Sequence, residues 1–521
     1  MEKTGKGPRT GRSVSFSVVF GTALLAPGLA FAQANELRMA IPDIPTQLGN
    51  PYISTALTSP AIFFLGAIYD GLTIVGADGN TAPRIASAWK NVDKDTWQFT
   101  IRSGTTFANG KPLNAAAIAA NINDMLLGDY AKWQQIFPLI PSPESARVID
   151  TNTVEIRTKK PAPIFDKEIG GLPIAEPGAW KDLGVENYAK NPVGTGPFKV
   201  EPGTSWAGGI MRLPAHTGSW HAPKVPMVVM NAIPERQARV NAIESGQVDV
   251  AVGLNMDAYD TVIKAGRNIY TAAAPVVYAV PLISLRDSSP FKDVRVRQAV
   301  NYALDKESMN ANLFRGLASP ASQPATPSTY GFNPNVTAYP YDPAKAKALL
   351  AEAGYPNGFK TAMEGVMGGS QTADTEVYQQ IGLDLARVGI QVDVISVRFA
   401  DWLKKWTTAR PDGTVDFPDM FGLGYFVSPE MDAVRRYTQH WCEKTPKWYC
   451  NESLRPLIEV ARTEFDSAKR LAALQQLMQL SHDDAPVLFT VNQIDVAGIN
   501  KRVQNFRMVN RQIDFEAAAL Q

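Results

Sequence analysis

Two cysteines and four histidines are all the thiol and imidazole chemistry available in this chain of 521 residues. His440, Cys442 and Cys450 sit close together, but a zinc site would need a second pair of ligands, and none follows at metal-binding spacing. Two cysteines flanking a loop that contains Pro446 more simply form a disulfide, provided the compartment is oxidising. Closing so short a loop stabilises by on the order of 2–3 kcal/mol. His216 and His221 lie among Pro214, Gly218 and Pro223 and read as an exposed loop pair rather than metal ligands. There is no His-Glu-x-x-His, no Gly-x-Ser-x-Gly and no Walker loop. Gly194-Thr195-Gly196 lacks the third glycine, the Lys-Ser/Thr pair or the following helix that a phosphate cradle needs. No metal and no cofactor is expected, and catalysis would require a constellation that one dimension does not show. What remains is binding chemistry, carried by aromatic residues and backbone.

The elements that would position such a site can be read from periodicity. Asn191-Pro192-Val193-Gly194-Thr195-Gly196-Pro197 is a shaped turn: two prolines fix φ and withhold donors, two glycines admit positive φ, and a strand-like Phe198-Lys199-Val200 follows. Before it, Ala77-Asp-Gly-Asn80 and Asn109-Gly110 mark hairpins, Trp97 to Arg102 and Thr153 to Arg157 alternate at period two, and Asn114 to Leu127 reads as a helix. This stretch is an α+β insertion. After the turn, a helix is expected at Glu235 to Glu244, a buried strand at Val248 to Val252, and helices at Val294 to Leu304, Pro343 to Ala353, Thr375 to Val388 and Ala468 to Leu480. Asp293 caps one of them, and Ile390 to Ile395 supplies a strand between two others. Such alternation implies an α/β unit. The Ser319 to Pro340 stretch reads as a surface loop.

Length argues for two or three lobes. With 45% hydrophobic and 19% charged residues the chain is globular, and a formal charge of +1 offers no basic footprint for nucleic acid. Residues 1 to 32 read as a cleaved export signal, with a basic start, an apolar core from Val14 to Leu29 broken by Pro27, and a small-x-small end at Ala30-Phe31-Ala32. No cysteine follows to accept a lipid. The expected location is the periplasm of a cell with an outer membrane.

Several blocks occur in a telling order: Ile68-Tyr69-Asp70-Gly71-Leu72, Trp97 through Leu113, Asn191 through Val200, Ala242 through Asp249, Pro290 through Asp305, and Tyr341 through Tyr355. Together the chain resembles the extracellular solute-binding proteins, family 5, which serve ABC importers of dipeptides, oligopeptides, nickel and related solutes. The resemblance implies an α/β fold of the periplasmic-binding-protein type II, two lobes with a ligand cleft plus an extra peripheral α+β domain. It divides the chain into lobe I (33–75, 189–273 and 487–521), the peripheral domain (76–188) and lobe II (274–486). It places Pro51, Tyr52, Tyr130, Trp133 and Phe489 at the ligand. It also implies permease subunits in the inner membrane as partners, a small solute as ligand, no enzymatic activity and a monomer.

In this family the segment corresponding to Asp416 through Asp432 sets substrate choice, and peptide-binding members resemble Gly-Trp-x-x-Asp, whose acid pairs the peptide ammonium. Here the run is Gly422-Leu423-Gly424-Tyr425-Phe426, with no acid and an aromatic near its place. Losing a buried carboxylate from an ammonium pair costs several kcal/mol of discrimination. Gly422, Gly424, Tyr425 and Phe426 are therefore expected to hold a peptide-like or other small polar solute: a peptide, a modified or capped peptide, an opine-like or sugar-like compound, or an aromatic compound, with an ordinary free-amine dipeptide disfavoured. Glu430 or Asp432 could replace the missing acid from a shifted position. Trp402 and Trp406 either add to this aromatic surface or pack the lobe interior. The other readings are a secreted enzyme, or a periplasmic chaperone or chemoreceptor adaptor.

Overall fold

The computed structural model describes residues 35–44, 50–51, 63–128, 143–200, 209–366, 374–426, 430–435, 437, 442 and 445–521, with backbone alone at 374, 399–400 and 425–426. The expected export signal lies outside these residues. Among them, no helix is long and apolar enough to cross a membrane.

An eight-stranded sheet runs through the whole chain in the order Leu423–Phe426, Asn268–Pro281, Val487–Ile499, Val250–Val252, Glu36–Ile41, Met227–Ala232, Ile210–Pro214, with Ser319–Pro320 also paired to Val487–Ile499. Glu36–Ile41 pairs in parallel with both of its neighbours. Such central strands are covered on both faces, which is why Val250–Val252 is apolar and wholly buried. Asp249, at the mouth of that strand, accepts from Arg38 and Arg502 and so ties the first described strand to the chain's last segment.

Two smaller units flank this sheet. One is a four-stranded antiparallel sheet in the order Ala86–Asp93, Thr96–Ile101, Thr153–Thr158, Pro143–Val148. Its period-two pattern buries Trp97, Phe99 and Ile101 with Val154 and Ile156. The helix expected over 114–127 begins where Asn114 accepts from the Ala117 amide, but it continues from Asn121 to Leu126 as a π-helical turn. The other unit is a three-stranded parallel sheet in the order Gln391–Val397, Lys360–Val366, Met420–Phe421. Helices Val294–Ala303, Pro343–Glu352 and Ser467–Asp484 form where expected, within two residues at the start and four at the end, each started by an aspartate side chain: Asp293, Asp342 and Asp466.

Two local expectations are corrected. Phe198-Lys199-Val200 forms a single bridge from Phe198 to Ala215 rather than a strand, because Pro197 and the turn before it prevent a ladder. The stretch from Ser319 is no superficial loop. Ala321, Gln323, Ala325 and Thr326 are buried, and Gln323 exchanges hydrogen bonds with the Asn333 backbone. Small residues let that segment lie inside the packing.

Candidate functional site

Two long antiparallel strands, Asn268–Pro281 and Val487–Ile499, carry the chain from one half of the molecule to the other. At one end Asn268 stands opposite Ile499, beside Val250; at the other Pro281 stands opposite Val487. Their ladder breaks in the middle: Ala273 pairs with Ile494 and the next pair is Val277 with Asn492, so the first strand has two extra residues there. A broken ladder between two packed bodies is where bending costs least.

The segment Leu423–Phe426 pairs with the first crossing strand just past the break, Phe426 opposite Val276 and Tyr425 opposite Val277. Gly422 fixes its entry. A Cβ there would lie 1.7 Å from the Tyr378 hydroxyl, and its amide donates to the Glu364 carbonyl at 2.7 Å. The glycine is required by close approach.

The two halves also meet along a seam. Val75 and Met431 bury each other, Ile164 packs against the cluster of Ala433, Val434 and Leu474, and the Lys167 ammonium lies 5.4 Å from the Tyr330 ring centre. Asp432 is committed here to a two-pronged pair with Arg470 (2.7 and 2.9 Å), and Glu430 pairs with Arg435. Both acids, the two that could have replaced the missing one, are buried, each with a guanidinium. Burial raises the Glu430 carboxyl above its usual range despite Arg435. Glu168 faces the same group. The residue is half-buried, and its Oε2 is buried without a hydrogen-bond partner. Burial, then Glu430 and Asp432, push its carboxyl well above the ordinary glutamate range.

The signature turn has a different task. Gly196 N donates to the Ile68 carbonyl and Phe198 N to the Ala67 carbonyl, both at 2.9 Å. A Cβ on Gly194 would stand 2.1 Å from the Ile68 carbonyl oxygen, and one on Gly196 would stand 2.6 Å from that of Ala67. Neither glycine has positive φ, so close approach rather than left-handed backbone explains them. Thr195 Oγ1 donates to Asp70 Oδ2 at 2.8 Å, and Asp70 Oδ1 accepts from Arg84 at 2.7 Å. His221 joins the same carboxylate through Nε2 at 2.9 Å and Glu516 through Nδ1 at 3.0 Å. The histidine pair is therefore buried, contrary to expectation, because its loop folds over the turn; His216 Nδ1 lies 3.2 Å from the Gly196 carbonyl oxygen. Burial works against ionising Asp70, but Arg84, His221 and Thr195 outweigh it and hold the carboxyl down to about 2. Sequence reasoning missed this charge cluster; its only trace was that Asp70 and Thr195 both fall in the blocks that carry the family resemblance.

Of the residues expected at a ligand, Pro51 is buried beside Asn50, and Gly422 and Gly424 are buried. Tyr425 and Phe426 are placed by backbone next to the broken ladder. Tyr52, Tyr130 and Trp133 lie outside the described residues. Phe489 has no exposed surface; it packs with Val277, Ile283, Phe417 and Trp448, so its ring belongs to the core. Trp402 and Trp406 stack at 5.4 Å and 11°, and Phe417 and Phe421 pack against them. Cys442 and Cys450 are joined as a disulfide. With Glu452 they make the only potential metal-ligand cluster among the described residues, and both sulfurs are taken.

Two bodies joined by crossing strands with an interrupted ladder have the build of a hinged protein. The family model of bacterial extracellular solute-binding proteins, family 5, middle region, matches residues 80–434, and the chain belongs to that family. The glutathione-binding protein GsiB of Escherichia coli K12 is 26% identical over 393 residues, 73% of this chain and 74% of its own. Among solved structures, NikA from Brucella suis in complex with Fe(III)-EDTA superposes with a TM-score of 0.80 at 21% identity, covering 93% of this chain and all of that one. DppA from Helicobacter pylori in complex with the peptide STSA does so with 0.78 at 22% identity, covering 94% and 99%. The fold is that of a type II periplasmic binding protein, and the family is one of extracellular solute-binding proteins. Proteins of this family are transport components.

Proposed function

We propose that this protein captures a peptide-like solute in the periplasm, after removal of residues 1–32, and delivers it as a monomer to permease subunits in the inner membrane. The lobes are 33–75 with 189–273 and 487–521, and 274–486, with 76–188 as a peripheral domain. The solute lies over the crossing strands, lined by Pro51, Tyr52, Tyr130, Trp133, Gly422, Gly424, Tyr425 and Phe426. The observation that carries this reading is the strand Leu423–Phe426 paired to the crossing strand beside its break. Any movement of the lobes is felt there, so a solute touching it is enclosed on closure. Similarity to a glutathione-binding protein and the fold shared with a peptide complex support a peptide-like ligand. The commitment of Glu430 and Asp432 to arginines supports one whose recognition does not depend on a free ammonium. A ligand that prefers the closed form shifts the population toward the surface the permease reads. Native mass spectrometry of gently purified protein, followed by melting curves and solution scattering with glutathione, di- to tetrapeptides and N-acetylated peptides, tests it. A retained mass or a stabilised, more compact protein is expected; flat responses to all of them would refute it.

A further inference from the structure

The second crossing strand buries one side chain that the fold does not explain. Gln493 is 1% exposed, yet neither its amide nitrogen nor its amide oxygen has a hydrogen-bond partner. More than nine in ten buried polar groups in native proteins are paired, and each one left unpaired costs about 1–3 kcal/mol. A carboxamide with both ends unmet is a liability in a strand that could have held leucine.

Its position supplies a reason. Gln493 lies between Asn492, which pairs with Val277, and Ile494, which pairs with Ala273, so it stands at the break where the first crossing strand makes its excursion. On the other edge, Ser319 and Pro320 pair only as far as Asn492, and Val250–Val252 begins pairing only at Ala497. The residue thus sits at the interruption in the crossing ladder, next to Asn492, whose partner Val277 also pairs with Tyr425. The candidate strand Leu423–Phe426 starts its pairing at Val276, the last residue of the excursion.

We propose that Gln493 is a solute-recognition residue whose carboxamide pairs with the amide groups of the bound solute, Oε1 accepting an N–H and Nε2 donating to a neighbouring C=O on the same side of the extended backbone. This rests on the solute-capture reading and names the class it selects: a compound carrying a peptide or other secondary amide. A neutral, two-sided partner fits a site whose nearby acids are already held by arginines. An ester offers the acceptor without the donor, and a carboxylate offers no N–H. A site built to bond a donor discriminates strongly against an analogue lacking it, because its own acceptor is left unpaired.

Gln493→Leu removes both amide atoms at similar volume. If the amide is unmet in the empty protein, the ligand-free variant melts at the same temperature as wild type or higher, since an orphaned polar group has been replaced by an apolar one. A clearly lower melting temperature would show that the amide is already paired inside the fold and would overturn the proposal. Titration calorimetry with glutathione, trialanine and a trialanine analogue in which one amide is an ester then separates the readings. We expect wild type to prefer the amide over the ester at least tenfold, and Gln493→Leu to lose at least tenfold for the peptide and no longer tell the two apart. Equal peptide affinity in wild type and Gln493→Leu overturns this inference while leaving solute capture standing. Wild type that binds none of the three probes and retains no solute overturns both.

Discussion

Replacing Asp70 with asparagine tests whether the family's shared blocks act as architecture. The buried carboxylate is held by Arg84, Thr195 and His221. Its carboxyl is lowered from 3.8 to about 2. At about 1.4 kcal/mol per pH unit, that difference is a preference of about 2 kcal/mol for the ionised, folded form. Asparagine keeps the shape but not the charge, and leaves Arg84 and His221 sharing Glu516 alone. A loss of about 2–4 kcal/mol in unfolding free energy at pH 7 is expected, since breaking a buried pair strands its partner. The sign with pH follows from a lowered carboxyl. The contribution is complete above the unfolded value near 4 and is lost as pH falls toward 2. The gap between wild type and Asp70→Asn therefore narrows in acid. Urea unfolding followed by tryptophan fluorescence at pH 7, 5 and 3.5 measures it. A gap below 1 kcal/mol at pH 7, or one that widens as pH falls, would refute the reasoning.

Three further outcomes are expected. Glu168→Gln matches wild type at low pH, where Glu168 is protonated, and becomes more stable than wild type as pH rises above the ordinary glutamate range, because the raised carboxyl favours the packed seam only while it holds its proton; urea midpoints from pH 4.5 to 8 that track each other throughout would count against it. Gly422→Ala, whose Cβ meets the Tyr378 hydroxyl at 1.7 Å, destabilises by about 1–3 kcal/mol through overpacking, and Tyr378→Phe in the same chain recovers part of the loss in a double-mutant cycle. Tyr425→Ala or Phe426→Ala weakens binding of the co-purified solute at least tenfold with little change in melting temperature, whereas wild-type affinity in both removes them from the site.

Local conformation was legible in the residues. Asp293, Asp342 and Asn114 start their helices as capping side chains should, and the alternation of Trp97, Phe99 and Ile101 puts those residues inside. The order of short blocks was enough to identify the family, and the missing acid at 422–426 was plain from residue types alone. Partnership across the chain was decided only on folding. Gly194 and Gly196 matter because the Ala67 and Ile68 carbonyls come against them, His221 because Asp70 and Glu516 reach it, and Glu430 and Asp432 are unavailable because Arg435 and Arg470 found them first. The physical reason is range: capping and periodicity act over a few residues and leave a mark in composition. Burial and charge pairing depend on where distant segments meet, and Gln493, an ordinary polar residue in a strand, becomes an unmet amide only once the surrounding segments fold around it.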